Sequence, residues 1–82
     1  MTSTEILARF AAVVEEVVGI PARDVTPTKS FTDDLDIDSL SMVEIATAAE
    51  DAFGVTIPDS VLGDLRTVAD AVDFITRAGV AA

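Results

Sequence analysis

The sequence contains no cysteine and no histidine among its 82 residues. Without cysteine the chain can form neither a disulfide nor a thiolate metal site, and any thiol chemistry needs a thiol brought from outside. Without histidine it lacks the usual general base and the commonest metal ligand, so a Ser-His-Asp triad is excluded. The Gly-x-Ser-x-Gly turn of serine hydrolases is also missing. These absences exclude a serine hydrolase and any site that depends on histidine or on a cysteine thiolate.

Long apolar runs are missing as well. No stretch approaches the ~18 apolar residues of a membrane span, and the first residues lack the basic region and apolar run of a signal peptide. We therefore expect a cytoplasmic protein without a membrane span. Half of the residues are apolar, which is enough for one small core. We accordingly expect residues 1–82 to form a single domain and the protein to be a monomer.

Basic residues are few, and the acidic ones are concentrated in one part of the chain. Fifteen acidic residues oppose five basic ones, which gives a formal net charge of −10. Residues 30–65, which we call the acidic block, contain no Lys or Arg and nine acidic residues: Asp33, Asp34, Asp36, Asp38, Glu44, Glu50, Asp51, Asp59 and Asp64. This distribution argues against a nucleic-acid partner and favours a basic protein surface. A charged surface that only confers solubility is the alternative.

The spacing of apolar residues predicts helices and no strands. An amphipathic stripe follows the capping-box pair Thr2 and Glu5 and ends at Gly19. Residues 19–38 contain two prolines and many polar residues, which predicts a long loop of the kind that is often functional. The other predicted helices are Ser39–Phe53 with Ser39 as N-cap, a short turn from Pro58 to Leu62, and about Thr67–Ala78. The predicted fold is an all-α bundle of three main helices and one short helix.

The helix predicted to begin at Ser39 has apolar residues on two sides. Its wide stripe, which we expect to face the core, comprises Met42, Ile45, Ala46, Ala49, Ala52 and Phe53. The opposite side carries Leu40, Val43 and Thr47 among Glu44, Glu50 and Asp51. An apolar spot ringed by charges of one sign is typical of a transient docking site. Single exposed apolar residues are common, however, so a surface without a partner is the alternative.

Two segments resemble the acyl carrier protein family. The first runs from Ser30 to Glu44 and contains Asp38-Ser39-Leu40, the family's modification motif; the second is Phe53-Gly-Val-Thr-Ile-Pro-Asp59. The likeness extends over essentially the whole chain and is greatest to carriers of bacterial type II fatty acid synthases. It implies that a phosphopantetheinyl transferase attaches 4′-phosphopantetheine from coenzyme A to Ser39. The arm would supply the thiol that this chain lacks, and acyl groups would be carried on it as thioesters.

The same resemblance implies where partner enzymes bind. Acyltransferases, ketosynthases, reductases and dehydratases of a dissociated synthase would dock through basic patches. The positions that match the family's partner contacts are Asp38, Leu40, Val43, Glu44, Thr47, Glu50, Asp51 and Ile57. Thr47 and Ala49 stand where bulkier apolar residues are common in the family, which makes the docking patch less apolar and alters the space for an acyl chain.

Two alternatives stay open, and a third is excluded by the sequence. A type II polyketide synthase carrier is the alternative within the family. An unmodified acidic helical interaction module, with Ser39 as an ordinary N-cap, is the alternative outside it. Asp34, Asp36 and Asp38 match positions 1, 3 and 5 of a calcium-binding EF-hand loop. Ser39 and Ile45 replace the Gly and Glu that such a loop requires, so we expect no metal site.

Overall fold

The computed structural model describes residues 2–79, which form four α-helices and one turn of 3₁₀ helix. The α-helices are α1 (Ser3–Val18), α2 (Ser39–Phe53), α3 (Asp59–Leu62) and α4 (Val68–Ala78), and the 3₁₀ turn is Ala22–Asp24. The prediction of three main helices and one short helix is confirmed, whereas the 3₁₀ turn was not predicted. Within the described residues, none of the helices has the length and apolar character needed to cross a membrane.

The helix ends are set by local hydrogen bonds that the sequence already indicates. At α1, the Thr2 hydroxyl accepts the Glu5 N–H at 3.2 Å and the Glu5 carboxylate accepts the Thr2 N–H at 3.0 Å. At α4, Thr67 and Asp70 form the same reciprocal pair, at 3.2 Å in both directions. α2 ends at Gly54, whose φ of 66° is a left-handed conformation that glycine adopts without strain. These caps explain why the predicted bounds agree closely with the observed ones.

A single apolar cluster joins α1, α2 and α4. Its largest fully buried side chains are Phe31, Phe53, Ile6, Ile45, Ile75, Val14 and Val68. Of the stripe predicted for α2, four residues are buried and Met42 and Ala52 are partly buried. Burying each large side chain contributes about 1.5–3 kcal/mol, so this cluster is the main source of the fold's stability.

The loop between α1 and α2 is packed onto this core along much of its length. Val25, Phe31, Leu35 and Ile37 are buried, and Ile20 is half-buried against the cluster. Phe31 meets Phe10 of α1 edge to face, with ring centroids 6.0 Å apart. The apolar residues that the loop contributes to the core fix the path of the chain into the first turn of α2.

Backbone pairing also holds the loop against the start of α4. Ser30 and Thr67 form an isolated antiparallel bridge. Beside it, the Phe31 N–H donates to the Arg66 carbonyl at 3.0 Å. The Val68 N–H donates to the Lys29 carbonyl, also at 3.0 Å. This contact brings two segments more than 30 residues apart in sequence to the same end of the bundle, next to the beginning of α2.

Candidate functional site

Ser39 is the first residue of α2, and its side chain is exposed. The prediction that Ser39 is the N-cap is wrong, because Asp38 has the extended backbone of a cap, with φ −81° and ψ 173°. The Asp38 carboxylate accepts the Ser41 N–H at 2.8 Å, and the Asp38 carbonyl accepts the Met42 N–H at 3.0 Å. Aspartate and serine are both strong N-caps, so the sequence alone did not decide between the neighbours. Since Asp38 caps the helix, the Ser39 hydroxyl is left free for chemistry.

Asp38 places a fixed negative charge beside Ser39. The hydrogen bond from the Ser41 N–H lowers the pKa of the Asp38 carboxyl below its ordinary value, because it stabilises the ionised form. The position at the start of α2 also favours a negative charge through the helix dipole. The residue therefore serves the fold as a cap and presents an exposed anion to whatever approaches the serine.

A surface groove of about 690 Å³ opens beside Ser39. Its apolar lining comes from the loop, α2, α3 and the segment before α4: Phe31, Ile37, Met42, Val43, Leu62 and Leu65. The polar and charged residues along it are Ser30, Thr32, Asp33, Asp59 and Arg66. A flexible arm with an apolar backbone and amide groups can lie in a groove of this mixed character.

The first turn of α2 offers hydrogen-bond donors to an anion. A helix leaves its first N–H groups without partners inside the helix. Asp38 satisfies those of Ser41 and Met42, so the N–H groups of Ser39 and Leu40 are available to an anion. An exposed hydroxyl, two free donors and an adjoining groove fit the phosphodiester and pantetheine portions of the 4′-phosphopantetheine that the resemblance implies.

The core behind the groove contains almost no free space. A small apolar space of about 10 Å³ lies there, and Ala49 is among its lining residues. This volume corresponds to about one water molecule. Phe31, Met42, Leu62 and Leu65 line both this space and the groove. An acyl chain can therefore enter the core from the groove only if these shared side chains move.

The exposed side of α2 carries most of the residues expected to contact partners. Leu40 and Val43 are the large apolar side chains that stand out from the surface of the described chain, 68% and 47% exposed. Glu44, Thr47 and Asp51 on the same helix are also exposed. We call these five residues the docking face. The Thr47 hydroxyl donates to the Val43 carbonyl at 3.0 Å, so the helix itself satisfies this polar group.

Glu50 and Ile57 do not belong to the docking face. The Ile57 side chain is buried in the core, with 8% of its surface exposed. Glu50 is half-buried, and its carboxylate accepts the Ile57 N–H at 2.6 Å. From its angle around the helix, Glu50 is expected among the exposed acidic residues. That angle does not show that the chain after Gly54 folds back and contacts Glu50. The pair ties the end of α2 to the segment that leads into α3.

Arg66 lines the groove that opens beside Ser39, although no sequence motif pointed to it. Its only distinction in the sequence is that it is the first basic residue after the acidic block. The pairing of the loop with the start of α4 brings Arg66 to the groove, and no local periodicity encodes that long-range contact. Among residues 2–79, no group of three or more acidic side chains is arranged to hold a metal ion.

Comparison with known families matches most of the chain. The family described as "Phosphopantetheine attachment site" matches residues 8–75, a span that contains Ser39, the groove and the docking face. The acyl carrier protein of Acidothermus cellulolyticus is 57% identical over 82 residues, covering 100% of this chain and 98% of the relative. The acyl carrier protein of Thermobifida fusca is 60% identical over 73 residues, covering 89% and 92%.

Two further similarities concern function and fold. The meromycolate extension acyl carrier protein of Mycolicibacterium smegmatis is 59% identical over 76 residues, covering 93% of this chain and 77% of the relative. A solved structure of the acyl carrier protein of Enterococcus faecalis has a TM-score of 0.78 and 35% identity, covering 96% of this chain and 100% of that one. The chain therefore belongs to the acyl carrier protein family, whose members carry acyl groups on a covalently attached 4′-phosphopantetheine and are carriers rather than enzymes.

Proposed function

We propose that Ser39 is the residue to which 4′-phosphopantetheine is attached, and that the protein carries acyl thioesters during fatty acid biosynthesis. The observation that carries this proposal is the division of roles at the start of α2. Asp38 caps the helix, so the adjacent Ser39 hydroxyl is exposed and unengaged within the Asp38-Ser39-Leu40 motif. Ser41, two residues later, has its N–H bound by that cap and is half-buried, which makes it a poorer acceptor.

The residues around Ser39 suit the group that would be attached there. The N–H groups of Ser39 and Leu40 lie in the first turn of α2. An anion such as a phosphodiester is stabilised at this end of a helix. The attached arm supplies the thiol that this cysteine-free chain lacks. The groove beside Ser39 offers apolar side chains to the arm, and its polar edge offers hydrogen-bonding groups.

We propose the docking face, with Asp38 at its end, as the surface that a phosphopantetheinyl transferase and the enzymes of a dissociated synthase recognise. Leu40 and Val43 would enter apolar depressions on the partner, while Glu44 and Asp51 would meet basic residues. Apolar contacts at the centre supply affinity, and surrounding charges supply orientation and a faster encounter. Glu50 and Ile57 would support this face from beneath by fixing the end of α2.

Peptide mapping of the protein from its native cells tests the attachment residue. After digestion, fragment-ion mass spectrometry should place the phosphopantetheinyl group on Ser39. Placement on Ser30, Ser41 or another hydroxyl would overturn the assignment. Absence of the group from every peptide would instead favour the unmodified interaction module.

The pathway is tested by the acyl groups that the native protein carries. A fatty acid carrier should hold a ladder of saturated and partly reduced chains that differ by two carbons. Poly-β-keto chains would favour the polyketide alternative. Very long chains would favour a second candidate, extension of the kind named for the Mycolicibacterium smegmatis relative. The Ser39→Ala protein from the same cells is the matched control, because it should carry none of them.

We further propose that residues 1–82 act as one carrier domain, monomeric and located in the cytoplasm. The support for a single domain is that α1, α2, α4 and the loop between α1 and α2 share one apolar cluster. Equilibrium sedimentation of the holo-protein should give the mass of one chain, and a stable dimer would overturn the monomeric part of this proposal.

A further inference from the structure

The backbone of Arg66 is held in place on both sides. Its N–H donates to the Asp70 carboxylate at 3.1 Å, and its carbonyl accepts the Phe31 N–H at 3.0 Å. The first contact is an extension of the α4 capping box, and the second belongs to the pairing of the loop with the start of α4. The exposed side chain of Arg66 therefore extends from a backbone position that hydrogen bonds hold in place.

The Arg66 side chain carries the one positive charge among the residues that line the groove beside Ser39. Asp33 and Asp59 line the same groove, yet neither holds the guanidinium in a salt bridge. Among residues 2–79, the ion pair is that of Arg77 with Asp73, at 3.0 Å. Arg66 thus brings an unpaired guanidinium to a groove whose other charged residues are acidic.

This arrangement favours one position for an anion in the groove. The carboxylates of Asp33 and Asp59 repel a negative group, whereas Arg66 attracts it. A guanidinium presents a planar fork of donors that matches a phosphate or a carboxylate. An anion confined to this groove by a tether should therefore settle against Arg66.

We propose that Arg66 binds an anionic oxygen group that is tethered to Ser39, and so positions the arm and its cargo in the groove. The inference rests on the proposed attachment to Ser39. The anion is either the phosphodiester of the arm or the free carboxylate of a dicarboxylic acyl cargo, and both offer the same fork of oxygens to the guanidinium. In the second case Arg66 distinguishes dicarboxylic cargo from neutral acyl groups.

The contact should be weak and reversible because Arg66 is exposed. Exposed ion pairs change a population by about two- to fivefold, and salt screens them. A contact of this strength suits a carrier, since the arm must leave the groove whenever a partner enzyme takes it. A buried pair would hold the arm too firmly for that exchange.

Nitrogen-15 NMR of the Arg66 Nε–H group tests the inference without any partner enzyme. The spectrum is compared for the apo, holo, acetyl-loaded and malonyl-loaded protein, and Arg66→Gln assigns the signal. A shift between apo and holo that does not change with cargo identifies the phosphodiester as the anion. A shift that appears only between the acetyl and malonyl forms identifies the cargo carboxylate. In either case the shift should shrink at high salt, and the Arg9 Nε–H signal on α1 should stay constant.

An Arg66 signal that is identical in all four forms would overturn the inference while leaving the proposed function intact. Intact mass, recorded on each NMR sample, separates the two, because a chain that cannot be pantetheinylated on Ser39 contradicts the proposed function itself. As a second readout, the phosphorus-31 signal of the holo-protein and the malonyl methylene signal are compared in wild type, Arg66→Gln and Arg9→Gln. The anion that Arg66 binds should shift in Arg66→Gln, with a two- to fivefold smaller docked fraction, and should match wild type in Arg9→Gln.

Discussion

Asp38 and Ser39 are neighbours, but only Asp38 caps α2, and the Ser39 side chain stays exposed. The Asp38 carboxylate is committed to the Ser41 N–H, and this bond lowers the pKa of Asp38. If Ser39 were the cap, its hydroxyl would accept a backbone N–H and point back over the helix. Because Asp38 takes the role of the cap, the Ser39 hydroxyl remains exposed.

Replacing Asp38 should lower stability in a pH-dependent way. Because its folded pKa lies below its unfolded pKa, the ionised carboxylate stabilises the fold above the unfolded value of about 4. This contribution is lost as the pH falls through the folded pKa. The melting temperature of Asp38→Ala should therefore lie below that of wild type at neutral pH, and the two should converge in acid. Melting curves from about pH 2 to pH 7 measure this.

Asp38→Asn is the matched variant, because its amide oxygen still accepts the Ser41 N–H without a charge. It should melt between wild type and Asp38→Ala at neutral pH, with a weaker dependence on acid. A constant difference between wild type and Asp38→Ala over the whole pH range would contradict the cause assigned to the lowered pKa.

Glu50→Ala should destabilise the fold more than Asp51→Ala. Glu50→Ala removes the partner of the Ile57 N–H, which lies beside a buried side chain. This hydrogen bond is part-buried, and a typical hydrogen bond contributes about 0.5–1.5 kcal/mol, so we expect a loss in that range in the free energy of unfolding. Asp51→Ala, at an exposed position on the same helix, should stay within about 0.5 kcal/mol of wild type. If urea unfolding gives the same loss in the free energy of unfolding for both variants, the Glu50–Ile57 hydrogen bond makes no net contribution to stability.

The helix α2 carries large apolar residues on two sides, one buried and one exposed. One side supplies Ile45, Ala49 and Phe53 to the core, and the other supplies Leu40 and Val43 to solvent. A helix that served only the fold would carry polar residues on its outer side. The two exposed apolar residues lie among acidic ones, which is the pattern on which the proposed docking face rests.

Glu44→Lys should impair partner binding while leaving the fold intact. Glu44 is exposed, so the free energy of unfolding should change by no more than about 0.5 kcal/mol. At a basic partner surface the change replaces attraction by repulsion, and we expect a loss of roughly 1–3 kcal/mol in apparent affinity for a synthase enzyme or transferase. Wild-type binding should weaken with salt, because the Debye length falls from ~10 Å at 0.1 M to ~3 Å at 1 M.

Glu15→Lys is the control for net charge, since Glu15 is an exposed acid on α1 and the substitution changes the charge by the same amount. It should bind nearly as wild type does. Val43→Ala should weaken binding with less change in salt dependence. The test is to measure kinetics with several partner enzymes over a range of ionic strength. A folded Glu44→Lys protein that matches wild type with all of them at low salt contradicts the docking proposal.

The helices were largely predictable because the residues that determine their ends lie close to those ends in the sequence. Capping boxes at Thr2 and Thr67 and a glycine at the end of α2 lie within a few residues of the helix ends that they set. The N-cap of α2 was wrongly predicted for a local reason, since Asp38 and Ser39 are both strong caps. Two other missed features depend on how the chain folds back on itself. The Ile57 N–H meets Glu50 only because the chain turns back after α2. Arg66 reaches the groove beside Ser39 only through the pairing of the loop with α4.

At the scale of the whole molecule, charge is the feature that distinguishes this chain most. The acidic block supplies nine of the fifteen acidic residues and none of the basic ones, and it includes the docking face and most of the groove. Like charges concentrated in one part of the chain repel one another, which lowers stability but strengthens attraction to a basic partner.

Millimolar Mg²⁺ should raise the melting temperature of the protein at neutral pH, because it reduces the repulsion within the acidic block. Melting in MgCl₂ is compared with melting in NaCl at the same ionic strength, which separates weak divalent binding from general screening. A melting temperature that responds to neither salt would show that these carboxylates are too well solvated to affect folding.

The proposed function requires that Ser39 alone receives the arm, and a pair of neighbouring serine variants tests this requirement. Ser39→Ala and Ser41→Ala remove one hydroxyl each from the first turn of α2, and the Asp38 cap is preserved in both because Ser41 contributes its backbone N–H. Each protein is incubated with coenzyme A and a phosphopantetheinyl transferase, and its intact mass and circular dichroism are recorded. We predict that both variants are folded, that Ser41→Ala gains one phosphopantetheinyl group as wild type does, and that Ser39→Ala gains none. A phosphopantetheinyl group on folded Ser39→Ala would show that another residue receives the arm.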